Sequence, residues 1–164
     1  MNSIYHRRSV RSFQDAPVPE DSLREIVRAG MAAPSAVNAR PWEFYVVEER
    51  SLCEKLAAVS PYAWPAAKAP AVIVPVYHTD CKAPEYAQID MALCTQNMML
   101  MADELGLGSV CLGIAPEPER MEAVRQLLHL PQGQECFCLL PVGVPEKAPE
   151  PRDTWDENRL HFLR

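Results

Sequence analysis

Arg7-Arg8-Ser9-Val10-Arg11 sets three guanidiniums and a hydroxyl within one or two turns of chain, and that collection of donors suits the oxygens of a phosphate monoester. A second stretch, Pro34-Ser35-Ala36-Val37-Asn38-Ala39-Arg40-Pro41-Trp42-Glu43-Phe44, holds a hydroxyl, a carboxamide and a guanidinium between two prolines. All three groups can hydrogen-bond a planar heteroaromatic ring. Each stretch alone has an ordinary explanation: arginine pairs are common on solvated surfaces, and Ser35 and Asn38 read equally as loop caps. Together they point to a small anionic ligand with a flat polar head.

The charge balance sharpens this. Acidic residues outnumber basic ones by 22 to 16 and the formal net charge is -6, which argues against a general nucleic-acid binder, because a phosphate backbone demands a basic face. A local basic cluster on an acidic background suits a small anion better than a polyanion. At 164 residues the chain fits a single domain over 1–164, and such a chain buries roughly 70% of its unfolded surface. The six cysteines match no zinc spacing, so they read as reduced and mostly buried thiols, which favours a cytoplasmic protein. His6, His78, His129 and His161 stand at no ligand spacing, and no metal is assigned. No apolar run follows Met1 to Arg8 as in a secretory signal, and none reaches the roughly 18 residues of a membrane span.

The elements that must position these groups are legible in outline. Asn2 or Ser3 can cap a helix over 3–9 that delivers the arginines from its far end. Past Pro17 and Pro19, Glu20 and Asp21 open a helix whose core face is Leu23, Ile26, Val27 and Met31. Trp42 to Val47 reads as a strand with two apolar faces, expected to be covered on both sides. A helix over 49–59 follows, then a strand at Ala71 to Tyr77 in which Pro75 implies a sheet edge, a bulge or an early end. Ala87 to Leu105 is the longest helix, apolar nearly all round, with Asp90 reading as a structural, hydrogen-bonded group at its buried start. Met98 to Met101 reads as core or interface. Gly106 suits a left-handed cap. Gly108 to Ile114 reads as a strand, Pro116 leads a helix, and Glu135 to Val142 is the last core strand. Beyond Gly143, Pro145, Pro149 and Pro151 beside Lys147 and Arg152 preclude a regular element, and such a tail often wraps a partner subunit.

The arginine-rich start, Pro34-Ser35-Ala36-x-Asn38-x-x-Pro41-Trp42, the helix ending in Gly106-Leu107-Gly108, the Leu112-Gly113 step and Gly143-Val144-Pro145 leading to Arg152 resemble the nitroreductase family, in order and spacing, over nearly the whole chain. The resemblance implies an α+β fold: a mixed central sheet flanked by helices, in a homodimer with an extended C-terminal tail and flavin mononucleotide (FMN) at the subunit interface. It implies that Arg7 and Ser9 hold the FMN phosphate with Arg8 beside them, that Arg11 lies near the pyrimidine edge of the flavin, and that Arg152, with Lys147 a lesser candidate, adds charge at the phosphate. Pro34, Ser35, Ala36 and Asn38 would come from the other subunit to line the ring and ribityl chain.

Gly113 would be the catalytic position, its backbone N–H directed at flavin N5, with Leu112 packed at the same edge. Larger relatives place an acidic residue at Leu112, so here water or the substrate would supply the proton. Tyr62 and Trp64 are candidates to stack over the open flavin face. The implied activity is transfer of reducing equivalents from NAD(P)H to a nitroaromatic, quinone or similar acceptor, and no G-x-G-x-x-G follows a strand to offer a separate nicotinamide site. Two other functions compete: a flavin-binding protein that stores or senses FMN without turnover, and a thiol or metal module built on Cys136-x-Cys138.

Overall fold

Asn2 caps the first helix, α1 (Ser3–His6), by accepting the Ile4 N–H on its side chain, and the helix stops there, short of residue 9. The computed structural model describes residues 2–150 and 152–164; Met1 and Pro151, the latter one of the tail prolines named above, lie outside the described residues. Beyond α1 the arginines run extended, with Ser9 in a parallel bridge to Ser109 and Phe13 in an antiparallel bridge to Pro145.

The remaining elements are α2 (Glu20–Met31), β1 (Trp42–Val47), α3 (Arg50–Ala57), β2 (Ala71–His78), α4 (Ala87–Glu104), β3 (Gly108–Ser109), β4 (Leu112–Gly113), α5 (Pro118–Leu127), β5 (Gln134–Cys136) and β6 (Cys138–Gly143). The sheet runs β1-β2-β6-β3, with β5 pairing β2 and β4 pairing β6. Every ladder between these strands is antiparallel, so the parallel component expected of the sheet is confined to the Ser9 bridge.

β2 is central, which its proline argued against. Phe137 resolves the conflict: the last strand is broken there into β5 and β6, Phe137 donates its N–H to the Pro75 carbonyl at 2.9 Å, and its own carbonyl is taken by Ala115 N–H at 2.9 Å. The donor that proline lacks is therefore supplied from the next segment, and of the three explanations open to Pro75 the bulge is the one realised, on the facing strand.

Successive residues of a strand face opposite ways, and β2 divides two cores accordingly. Ala71, Ile73 and Tyr77 join Leu23, Ile26, Met91, Cys94 and Met98 of α2 and α4; Val72, Val74 and Val76 join Cys53, Leu56 and Val124 of α3 and α5. Glycine brings α2 and α4 close, since a Cβ on Gly30 would lie 2.7 Å from Met98 Cγ. The fold is thus α+β, an antiparallel sheet flanked by helices. β1 is less covered than its two apolar faces suggest: Trp42 and Val47 are buried, but Val46 is exposed, because the strand lies at the sheet edge with β2 as its neighbour.

α4 ends as its glycine indicates. Gly106 has φ +73° and the Leu107 N–H reaches back to the Ala102 carbonyl at 2.8 Å, closing the helix with a left-handed cap. Met91 and Met98 are core residues, Met99 and Met101 pack partly against it, and a stripe of Tyr86, Ile89 and Leu93 is left exposed along the outer side. Among the described residues after Gly143 there is no strand and no helix beyond a short 3-10 helix at Glu157–Arg159, and Trp155, Phe162 and Leu163 stand exposed.

Candidate functional site

The arginine segment is fastened at both ends. α1 is tied to the far end of α4 by His6 Nδ1, 2.9 Å from Asp103 Oδ1, and by Ser3 Oγ, which donates to Glu104 Oε2 at 3.0 Å. Val10 N–H then donates to the Ser109 carbonyl at 3.0 Å. Gly108 makes that close contact possible: a Cβ there would come 2.7 Å from Val10 Cβ. On its other side the segment meets the tail, through Gln14 N–H to Val144 O at 2.9 Å and Glu146 N–H to Ser12 O at 3.1 Å.

The four residues of the segment divide by what their donors do. Arg8 spends its guanidinium on backbone carbonyls, those of Tyr5 (3.2 Å), Arg7 (2.8 Å), Glu150 (3.1 Å) and Arg152 (2.8 Å), and so pins the tail to the start of the chain. Arg7 is half-buried and makes no side-chain hydrogen bond among the described residues. Ser9 is exposed, as is Arg11, whose one contact is a long 3.4 Å bond to the Ser9 carbonyl. Arg8, Ser9, Arg11 and Lys147 line a cleft of about 310 Å³ between the segment and the tail, and Arg152 lies exposed just beyond.

Ser109 links this cleft to the Leu112-Gly113 step, four residues along and at most about 14 Å away in extended chain. Leu112 is buried and pairs with Leu139; Gly113 is exposed, and a Cβ placed on it would meet nothing nearer than the Ala115 carbonyl at 3.9 Å. The Ser109 hydroxyl is buried without a partner among the described residues.

The proline-bounded loop is built under strain. Val37, Asn38 and Arg40 all have positive φ (47°, 55° and 49°), a region costly for any residue with a Cβ and most of all for a β-branched one. Several bonds hold it: His78 N–H to Pro41 O at 2.8 Å, Asn38 N–H to Ser35 O at 3.0 Å, Ala39 N–H to Ala36 O at 2.9 Å, Ala36 N–H to Asp90 Oδ1 at 3.0 Å, Arg40 N–H to Ser35 Oγ at 2.9 Å, and Arg40 Nε–H to Asn38 Oδ1 at 2.8 Å. The last orients the Asn38 carboxamide, leaving its amino group outward on an exposed residue.

One chain keeps the two motifs apart. The loop hangs from Asp90 in the first turn of α4 and the arginine segment from Asp103 at its end, thirteen residues and about 20 Å along the helix axis. Ala36 and His6 are therefore held at opposite ends of α4 within a single copy.

The sequence model of the Nitroreductase family matches residues 4–83 and 62–144. The chain belongs to that family. It is 38% identical over 163 residues to a "Putative NADH dehydrogenase/NAD(P)H nitroreductase" of Methanothermobacter thermautotrophicus, covering 99% of this chain and 85% of that one. Among solved structures it resembles a "Putative NADH Oxidase" of Clostridium acetobutylicum, with 35% identity, TM-score 0.96 and 99% of both chains covered. A "putative nitroreductase" from Desulfovibrio desulfuricans, solved in complex with FMN, superposes with TM-score 0.83 at 26% identity over 99% of this chain and 95% of that one.

Several groups in this nitroreductase-family chain escaped sequence reasoning. Asp90 was legible as a structural acid, but not its bond to the strained loop; Arg40 was legible as a donor to a flat ring, but not as the residue that bonds Ser35 and Asn38 within the loop; the Ser109 hydroxyl carries no local signal, since only packing buries it. Cys111, exposed beside Leu112, accepts a hydrogen bond from the buried Cys138 thiol, which holds its pKa below the usual thiol value, while Cys138 is raised by that same contact and by burial. Burial alone pushes Cys94 up to about 12. All six cysteines are free, and no cluster of histidine, cysteine or acidic residues that could hold a metal exists among the described residues. No helix among them is long and apolar enough to cross a membrane.

Proposed function

We propose that the protein is a cytoplasmic, FMN-dependent oxidoreductase, a homodimer of single-domain chains, which carries reducing equivalents from NAD(P)H to a nitroaromatic, quinone or similar acceptor. The observation that carries this is the donor set: a guanidinium at Arg7 with no side-chain hydrogen bond among the described residues, the exposed Ser9 and Arg11 on the cleft, a buried Ser109 hydroxyl with no partner among the described residues, and an opening at Gly113 that any side chain would narrow. Such a donor set fits a phosphate at one end and a flat ring at the other. Family membership, and a relative solved with FMN, support the same ligand.

When bound, FMN supplies a ring that accepts hydride at N5 and gives electrons up again. Arg7, Ser9 and Arg152 neutralise and hydrogen-bond the phosphate, and Arg8 holds the tail that brings Arg152 and Lys147 to it. Arg11 puts a fixed positive charge beside the pyrimidine edge, where two-electron reduction places negative charge, and so favours the electron-rich state. Gly113 allows its backbone close to the ring at N5. Leu112 offers no carboxyl group, so water or the substrate brings the proton.

A second copy completes the site. Because α4 separates the loop from the arginines by about 20 Å in one chain, the partner's loop lends Pro34, Ser35, Ala36 and Asn38 to the ring and ribityl chain. The exposed stripe Tyr86, Ile89, Leu93 and the exposed apolar residues of the tail supply surface for that association.

The test is an absorbance spectrum of the purified protein with anaerobic titration by NADH and NADPH. A yellow protein bleached by either, and reoxidised by nitroaromatics or quinones, is expected. A protein that takes up no FMN sinks the assignment, and bound flavin that neither nicotinamide bleaches makes the protein a flavin store or sensor. Gel filtration of the FMN-loaded protein tests the shared site, which a stable monomer contradicts.

A further inference from the structure

Asp90 is buried, 3% exposed, and only half used. Its Oδ1 takes the Ala36 N–H at 3.0 Å, while its Oδ2 is buried with no partner among the described residues. A carboxylate with an unpaired oxygen in the interior is costly, and a helix start by itself does not require one, since serine or asparagine caps as well. The charge has a use at the one bond it does make, because a hydrogen bond to an ionised acceptor is roughly twice as strong as a neutral one.

What that bond restrains is the least comfortable backbone in the chain. Val37 follows Ala36 directly, 71% exposed, at φ +47°, so no side-chain packing holds it there. Asn38 and Arg40 share the left-handed region. The bonds Asn38 N–H to Ser35 O, Ala39 N–H to Ala36 O, Arg40 N–H to Ser35 Oγ and Arg40 Nε–H to Asn38 Oδ1 are internal to the loop and move with it, and at its far end the Pro41 carbonyl takes the His78 N–H of β2. Asp90 is the attachment that ties the loop's backbone to the rigid body of α4.

We infer that Asp90 is a positioning residue of the flavin site: through Ala36 it holds the strained Val37-to-Arg40 backbone in the shape that presents Ser35 and Asn38 to the FMN ring of the partner subunit. The inference rests on the FMN function proposed above. It makes ring-side affinity depend on a carboxylate that does not touch the flavin.

The experiment is a cycle of FMN dissociation constants on the full-length protein. Asp90→Ala should weaken FMN by about 30-fold, the range expected for a lost charge-assisted bond, and Asp90→Asn, which keeps a carbonyl acceptor, by about threefold. Val37→Gly added to Asp90→Ala should restore affinity to within about threefold of wild type, because glycine adopts the loop conformation without being forced. Val37→Gly added to Arg7→Ala should restore nothing, since that loss is at the phosphate. Unchanged affinity in Asp90→Ala, or a loss that Val37→Gly leaves in place, overturns the inference while leaving the FMN assignment standing. Wild-type protein that binds no FMN overturns both. If Asp90→Ala does not fold, amide exchange on the wild-type holoprotein decides: the Ala36 N–H should exchange well behind the Val37 N–H, and equal rates refute the clamp.

Discussion

His6 Nδ1 lies 2.9 Å from one oxygen of Asp103 and 3.0 Å from the other, and the carboxylate is only 6% exposed. Asp103 sits in the last turn of α4, where the helix dipole disfavours an anion, so its partner across the sequence gap matters more than the helix does. The pair is the anchor from which the extended arginine segment starts.

Asp103→Ala should accordingly cost about 1–2 kcal/mol of stability and, in addition, weaken FMN binding, because Arg7 and Ser9 lose a fixed origin. Thermal melts with and without FMN measure both. An Asp103→Ala protein that melts lower yet binds FMN with unaltered affinity would show that the segment is held by Val10 and Ser109 alone.

Gly113→Ala separates folding from function. The added Cβ meets no atom nearer than 3.9 Å in the chain itself, so the melting temperature of the FMN-free protein should stay within a degree or so. Flavin reduction by NAD(P)H should nonetheless slow by about 10²-fold, the scale of a misplaced reacting centre. Stopped-flow bleaching of the flavin is the measurement, and a wild-type rate would remove Gly113 from the site.

Thiol alkylation gives a footprint of the same edge. Cys111 is exposed and its pKa is lowered by the Cys138 thiol, so iodoacetamide near neutral pH should modify it well ahead of the buried Cys94, Cys136 and Cys138, whose pKa values are raised. Cys138→Ala should move the Cys111 alkylation profile to higher pH. FMN should protect Cys111, read by peptide mass spectrometry; equal labelling with and without FMN would place the ring elsewhere.

Alkaline stability follows from the buried thiols. Burial raises Cys94 from an ordinary 9.0 to about 12, so its contribution to folding is fully present below pH 9 and is lost as pH rises from there towards 12, while the unfolded chain ionises first. Cys136 acts in the same direction. Denaturant midpoints should therefore fall above pH 9, and less steeply in Cys94→Ala. A slope unaffected by that substitution counts against the assignment of the effect to Cys94.

Much of the fold was legible because it is local. The spacing of Leu23 and Ile26, the apolar run from Ala71, and Gly106 after a long helix each report a period or a backbone conformation that neighbouring residues impose. The misjudged features were long-range. α1 ends at His6 because Arg7 and Ser9 are drawn along β3, and β1 is half-covered because it lies at the edge; neither fact is written within ten residues of where it acts.

The chemistry proposed for the donors rests on residue type: guanidiniums and a hydroxyl suit a phosphate, a carboxamide and hydroxyl suit a ring, and a glycine permits close approach of backbone. Their arrangement does not, since it depends on which end of α4 each motif is fastened to, and Asp90 and Asp103 look alike in a sequence. Only the packed structure fastens the loop to the first and the arginine segment to the second, because hydrogen bonds to distant segments, rather than local preference, determine where an acid on a helix finds its partner.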